Sequence, residues 1–296
     1  LSKDQRLGIL FAIIGSMLWG TSGSVAQFVF TNKSISPLWL VGIRMFFAGS
    51  LLLIWYGISD GKKVFSIWKN RSSAITLLFF AFLGMLPSQL AYFMAIKYGN
   101  APTATVLQFL GPLFIIIYLA IANWKMPRRI DLISIALALF GTFLLVTQGH
   151  FNKLALAPLA LIWGLLAGLS QASYTLIPRK LLHELDARLV VGWAMLLGSI
   201  PFLPVVVTTK VSHITLSEIL SVIFIVIFGT MFAYLLYLKS VQHIEPSTTG
   251  MLSAFEPLTA TILSVTLLST PISTPEIIGG IFILATAFLQ SIGSKS

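Results

Sequence analysis

Long apolar runs, each close to the length of one bilayer crossing, restrict this chain more than any other feature. They fall at approximately 8–30, 37–58, 73–97, 101–122, 130–148, 157–178, 188–208, 217–239, 246–268 and 275–292. A helix needs about 20 apolar residues to cross a hydrocarbon core of ~30 Å. Hydrocarbon offers the backbone no water to bond with, so only helices and closed barrels satisfy it there. Barrel strands would show alternating segments of about ten residues, and these runs are continuous. The predicted fold is an all-α membrane protein with ten transmembrane helices. Composition agrees, with 57% hydrophobic and 9% charged residues and a mean hydropathy of +0.94. The first run follows Lys3 and Arg6 without a clear cleavage site, so a retained helix is expected there rather than a signal peptide.

The net charge of +10 does not mark a nucleic-acid surface, because the basic residues sit in short clusters such as Lys62-Lys63, Arg128-Arg129 and Arg179-Lys180 between apolar runs. Membrane-flanking loops have that pattern. Counted over alternating loops, 14 basic residues fall on the side of the N-terminus and 4 on the other, with Arg44 inside a span. The positive-inside bias then places both termini in the cytoplasm of a multi-pass cell-membrane protein. The absence of cysteine excludes disulfides, thiol chemistry and Cys-based metal sites.

The chain also repeats its layout. Ala91-Tyr92 and Ala233-Tyr234 begin six residues before Lys97 and Lys239 respectively, and each pair is followed by a short link and an apolar helix interrupted by a proline, at Gly111-Pro112 and Glu256-Pro257. Ala101 to Pro112 matches Pro246 to Pro257, and Asp131-Leu132-Ile133 matches Glu276-Ile277-Ile278. Two five-span units are expected, over 1–150 and 151–296. Five is odd, so the copies enter the membrane from opposite sides, the inverted arrangement associated with alternating access at a midplane site.

Leu18-Trp19-Gly20, Arg44, Ala91-Tyr92 with Ala95-Ile96-Lys97, Ala172-Ser173-Tyr174-Thr175 and Phe255-Glu256-Pro257, in that order, resemble the drug/metabolite transporter superfamily of the EamA type over nearly the whole chain. The sequence departs from the family pattern at Lys125 and Thr270, where glutamate is frequent, and at Gln171, where tryptophan is common. The resemblance implies export of amino acids, metabolites or amphipathic compounds through a cavity lined by spans one, three, four, six, eight and nine.

On those spans, Trp19, Tyr92, Tyr174 and Tyr234 are expected as aromatic walls, suited to flat substrates and to ammonium groups through cation–π contacts. They equally suit helix packing. Gln89, Gln108 and Gln171 are the in-span amides expected to orient polar groups, or else to bond between helices. Glu256 is the candidate coupling carboxylate, with hydrogen bonding at the Pro257 break as its structural alternative. Pro112 and Pro257 are expected helix breaks or gating points. Arg44 is read chiefly as a snorkelling or structurally paired residue, with a substrate carboxylate or Glu256 as its other possible partners. Trp39, Trp55, Trp68 and Trp124 are read as interfacial anchors, as are Lys97 and Lys239; Tyr118 and Tyr237 are read as packing residues. Gly164-xxx-Gly168 is expected to form an intramolecular helix contact.

Gly20-Thr21-Ser22-Gly23 matches a GxSG nucleophile pattern, but all four histidines, at 150, 183, 213 and 243, fall in loops or at span ends, leaving the serine without a base. No P-loop is present, so gradients or exchange must drive transport. The sequence therefore reads as a secondary carrier, not an enzyme, with no cofactor and no metal. Its expected partners are a small-molecule substrate, protons and the lipid bilayer, and it is expected to be a monomer or weak homodimer. Export of apolar or aromatic amino acids leads; uptake of a cationic nutrient such as a quaternary amine is the alternative.

Overall fold

The computed structural model describes residues 3–31, 35–122, 124, 129–148, 156–212, 214–244, 249 and 252–293. Lys125, Arg128, His150, His213 and Pro246, named above, and the basic residues Lys33, Lys153 and Lys295 counted there, lie outside the described residues.

All regular structure among the described residues is helical. The helices in chain order are α1 (Lys3–Val29), α2 (Pro37–Asp60), α3 (Arg71–Tyr98), α4 (Ala101–Ala122), α5 (Arg129–Thr147), α6 (Pro158–Leu176), α7 (Ala187–Thr208), α8 (Leu216–Val226 continuing to His243), α9 (Phe255–Leu268) and α10 (Thr274–Gly293). Each expected run therefore carries helix. Seven segments, in α1 to α4 and α6 to α8, are long and apolar enough to cross a membrane, while α9 and α10 hold shorter apolar stretches. The chain turns at Ser253-Ala254, so α9 starts late and keeps 14 residues, about 21 Å at 1.5 Å per residue.

Side chains set the helix starts. Ser36, Asn70 and Asn100 accept from the backbone N–H groups of Trp39 (3.1 Å), Ser72 (2.9 Å) and Thr103 (2.8 Å), satisfying donors that a helix start leaves free. Thr215 with Glu218 and Ser273 with Glu276 form reciprocal capping boxes. The interiors are less regular. A π segment interrupts α3 at Phe80–Met85 and α8 at Ile227–Phe232. α4 breaks at Phe109-Leu110, directly before Gly111-Pro112, and Ser253-Ala254 holds the corresponding place before Glu256-Pro257. Proline cannot supply the N–H of a continuing helix and is tolerated in a first turn, so each turn sits just upstream of its proline.

Helices pack in a limited set of pairs: α1 on α8 and α9, α6 on α3 and α4, α2 on α7, and α5 on α10. Small residues open these seams. A Cβ on Gly49 would lie 2.9 Å from the Gly192 carbonyl of α7, and one on Gly168 would lie 3.0 Å from the Leu107 carbonyl of α4. Gly164 faces the Leu107 side chain, so this glycine pair forms the expected intramolecular seam. Gly20 abuts the Glu256 carbonyl, and Gly23 makes room for the Tyr92 hydroxyl. The main core is shared by α1, α2, α3, α6, α7 and α8, and a smaller one joins α4, α5 and α10 through Leu107, Ala138 and Ile283. The outer surface is apolar, with Ile58 81% and Val207 82% exposed, as a lipid-facing surface requires.

Polar contacts fasten helix ends. Asp4 at the start of α1 meets His243 at the end of α8 at 2.8 Å. At the other end of α1, Lys97 donates to the Phe30 carbonyl at 3.2 Å, and Gln27 donates to Thr270 (2.8 Å) while accepting from the Ala101 N–H (2.7 Å). Lys97 thus caps a helix as well as marking an end of α3. Arg188 pairs with Asp186 at 2.8 Å and with Asp60 at 3.4 Å. Partial burial works against the charge of Asp186, but the Arg188 hydrogen bonds and charge prevail and hold it below the usual carboxylate range.

Two outcomes follow for stability in detergent. Gly20→Val should lower the unfolding temperature, at a cost of about 1–3 kcal/mol for forcing a side chain into a filled seam. Gly280→Ala, whose added Cβ meets nothing nearer than 3.7 Å, should leave it unchanged; equal behaviour of the two would refute the seam. For Asp186, the folded value is depressed, so its contribution is complete above the ordinary 3.8 and is lost as pH falls through the folded value. Asp186→Asn should therefore be less stable than the parent at neutral pH, by no more than about 1 kcal/mol for so exposed a pair. The difference should vanish in acid, as thermal unfolding across pH would show.

Candidate functional site

The helical breaks and π segments surround a small central cavity of about 40 Å³. α1 contributes Trp19 and Ser22, α2 Arg44, and α3 Ser88, Gln89 and Tyr92; α4 adds Gln108, α6 Gln171 and Tyr174, α8 Gly229 and Tyr234, and α9 Glu256. The seven residues expected to bind substrate and the expected coupling carboxylate all line this one space.

Its aromatic wall is continuous. Trp19 meets Tyr234 edge-on at 5.0 Å, and Tyr234 meets Tyr174 at 5.8 Å and 70°. Such edge-to-face pairs fix ring orientation. Tyr237 backs Trp19 from outside the lining at 4.9 Å, in keeping with its packing role. The polar side chains are partly tied to one another. Gln89 donates to the Tyr234 hydroxyl at 2.7 Å, the Tyr92 and Thr105 hydroxyls share a 3.1 Å bond, and Gln108 donates to Gln171 at 3.2 Å. The amides thus serve both readings, bonding between helices while facing the cavity.

Other polar groups are left over. Ser22 Oγ and Gln108 Oε1 are buried without a hydrogen-bond partner, and buried polar atoms of that kind call for a ligand or water. Glu256 lies in the first turn of α9, just past the chain turn, where its N–H donates to the Ser253 carbonyl at 2.9 Å. Its carboxylate forms no hydrogen bond or ion pair among the described residues, so it does not tidy the Pro257 break. Ser22 lies against Gly229, and among the described residues no histidine lines the cavity.

Arg44 separates its two leading readings, snorkelling and structural pairing, and fits the second. Its place seven residues past Pro37 suggested a side chain reaching the interface, but it is 4% exposed and lines the cavity. Its Nε donates to Thr230 Oγ1 at 3.0 Å, and its guanidinium lies 4.5 Å from the Phe93 ring centre. The Thr230 hydroxyl in turn donates to the Ile225 carbonyl, five residues back, at 2.7 Å. The π segment sets that spacing, and no local sequence signal announces it. Gly229 went unnoticed for the same reason. Ser22 was legible only as part of a protease-like pattern.

The remaining expectations divide. Pro257 faces a separate apolar groove between α4, α9 and α10, and Pro112 falls in the first turn after the α4 break. Trp124 is 94% exposed, as an anchor would be. Trp68 instead packs edge-on against Trp193 at 5.3 Å with its indole N–H buried and unpartnered. Tyr118 is exposed, and Gln27, not singled out in the sequence, fastens helix ends.

Comparison with known proteins agrees with this architecture. The EamA-like transporter family matches residues 6–147 and 158–292. An uncharacterized inner membrane transporter, YicL of Salmonella typhimurium, is 38% identical over 294 residues, covering 99% of this chain and 97% of that protein. An uncharacterized transporter of Bacillus subtilis, YwfM, is 29% identical, covering 86% and 84%, and the protein PecM of Dickeya dadantii is 24% identical, covering 94% and 90%. A crystal structure at 17% identity matches with a TM-score of 0.65 over 97% of both chains and shows the same fold. Two matched segments that span almost the whole chain, with a relative this similar along its full length, make the protein a member of the EamA-like transporter family.

Proposed function

We propose that this protein is a secondary active carrier that exports small metabolites, foremost amino acids with apolar or aromatic side chains, by alternating access through the central cavity. The observation that carries the reading is the cavity itself. An aromatic wall, a carboxylate and a guanidinium, drawn from helices of both halves, face one space. A zwitterion with an apolar side chain complements all three.

The carrier is read as ten crossings in two inverted five-helix repeats, with both termini cytoplasmic. Two features support inversion. Exchanging α1 with α6, α2 with α7, α3 with α8, α4 with α9 and α5 with α10 reproduces the main helix pairings. In addition, α3 ends beside Phe30, at the far end of α1, whereas its counterpart α8 ends beside Asp4, at the near end. Those ends are separated by a helix of 27 residues, about 40 Å. Opposite directions for α3 and α8 support this reading, in which rocking of one half against the other opens a shared cavity to either side.

Glu256 is assigned to proton coupling, because a carboxylate at that depth without a fixed partner can take up and release a proton between the two access states. The second reading, uptake of a quaternary amine, is favoured by the Trp19–Tyr234–Tyr174 wall; Arg44 in the same space ranks it lower.

In proteoliposomes, Trp19→Ala should raise the KM for amino-acid exchange by about tenfold, the scale of one lost aromatic contact. Glu256→Gln should retain exchange and lose accumulation driven by a pH gradient. Unsaturable flux indifferent to both changes would contradict a carrier. Saturable uptake of quaternary amines without amino-acid exchange would move the second reading to first place.

A further inference from the structure

Arg44 brings a charge into the interior without a salt bridge among the described residues; the Glu256 carboxyl group acts on it only across a longer distance. An arginine stays protonated in proteins, and a buried charge demands partners. Its Nε is occupied by Thr230 at 3.0 Å, but its two terminal nitrogens hold no hydrogen bond among the described residues. Glu256, the only carboxyl group in the lining among the described residues, does not form a salt bridge with it. The cavity therefore holds a guanidinium on α2 and a carboxyl group on α9 that face the same space and interact across it without touching.

The guanidinium is also oriented. Phe93 holds one face at 4.5 Å, and Nε is fixed by a hydroxyl that the Ile225 carbonyl itself anchors at 2.7 Å. What remains free is the planar fork of terminal N–H groups, whose geometry matches a carboxylate in a two-pronged contact. Resting on the carrier reading above, we propose that Arg44 is the specificity-determining residue of the cavity and grips the substrate carboxylate with this fork, while Thr230 acts as its positioning residue. The ligand class that follows is a free α-amino acid, not an amine, amide or ester. Its carboxylate neutralises Arg44, its ammonium group faces Glu256, and its side chain lies against Trp19 and Tyr234. Because Thr230 belongs to the π segment of α8, a movement of that helix releases the fork and weakens the grip, linking substrate release to the conformational change.

The test is counterflow of labelled L-phenylalanine and L-leucine in proteoliposomes, with matched competitors. L-Phenylalaninamide and phenethylamine keep the ring and the amine but lack the carboxylate. They should compete at least about tenfold less well than L-phenylalanine against the unaltered protein, the loss expected for a two-pronged charged contact. Arg44→Gln should abolish that discrimination, and Arg44→Lys, which keeps the charge without the fork, should raise KM by about tenfold. Thr230→Val should shift discrimination in the same direction, and Thr230→Ser should restore it, which a purely structural role would not produce. Equal competition by acid and amide in the unaltered protein overturns the proposal while leaving the carrier standing, and needs no folded variant. Amine flux that depends on added chloride would also overturn it, by making an inorganic anion the partner of Arg44. Absence of any amino-acid counterflow removes the amino-acid carrier and the Arg44 grip together.

Discussion

The close approach of α1 to the start of α9 is the contact on which the rest of the site depends. Gly20 lies directly against the Glu256 carbonyl, leaving no room for a Cβ. Four residues on, Ser24 donates to the Ala260 carbonyl at 3.1 Å. The seam holds the chain turn at Ser253-Ala254 against a solid neighbour, and the Glu256 side chain is thereby directed into the cavity. The other half uses the same device. Gly168 of α6 lies against the Leu107 carbonyl at the α4 break, and Gly111 just beyond it lies against Gln171. Interrupted helices are tolerated in hydrocarbon only where protein covers their freed backbone groups, and these glycine seams supply that cover.

The π segments of α3 and α8 serve a related purpose. Each widens one turn and leaves carbonyls for side chains to use. Ser173 of α6 donates to the Leu83 carbonyl in α3 at 2.8 Å, and Thr230 uses the Ile225 carbonyl before presenting itself to Arg44. The two segments are not at equivalent places. Met85 precedes Tyr92 by seven residues, and Phe232 precedes Tyr234 by two. The halves therefore share an architecture while differing in cavity chemistry, and α8 alone supplies the partner of the buried guanidinium.

Much of this was legible in the residue pattern, because the governing forces there are local or periodic. Apolar run length marks the helices, proline marks the turns before Pro112 and Pro257, and aromatic and amide residues in otherwise apolar spans mark Trp19, Gln89, Tyr92, Gln108, Gln171, Tyr174 and Tyr234. The snorkelling half of the Arg44 reading fails, and only its structural half fits, because its surroundings are assembled from three helices. A position near the start of α2 suggests an interface, and only the approach of Phe93 from α3 and Thr230 from α8 makes it interior. Trp68 was misread similarly, since its partner Trp193 lies 125 positions further along the chain. The ends fastened by Gln27 and by the Asp4–His243 pair were equally invisible, being contacts between the first helix and residues from the second half.

Alternating exposure of the single cavity is the central claim, and the absence of cysteine from the chain makes it directly accessible to measurement. Ser88 lines the cavity and, among the described residues, bonds only to the Met85 carbonyl of its own helix, so Ser88→Cys introduces a small reactive probe without breaking a described contact between helices. Its labelling by a membrane-impermeant thiol reagent should be measured from each face of oriented vesicles, with and without amino acid. The account predicts reaction from both faces, with added amino acid changing the ratio of the two rates. Reaction confined to one face under every condition would contradict alternating access, and simultaneous unimpeded access from both faces would describe a channel instead.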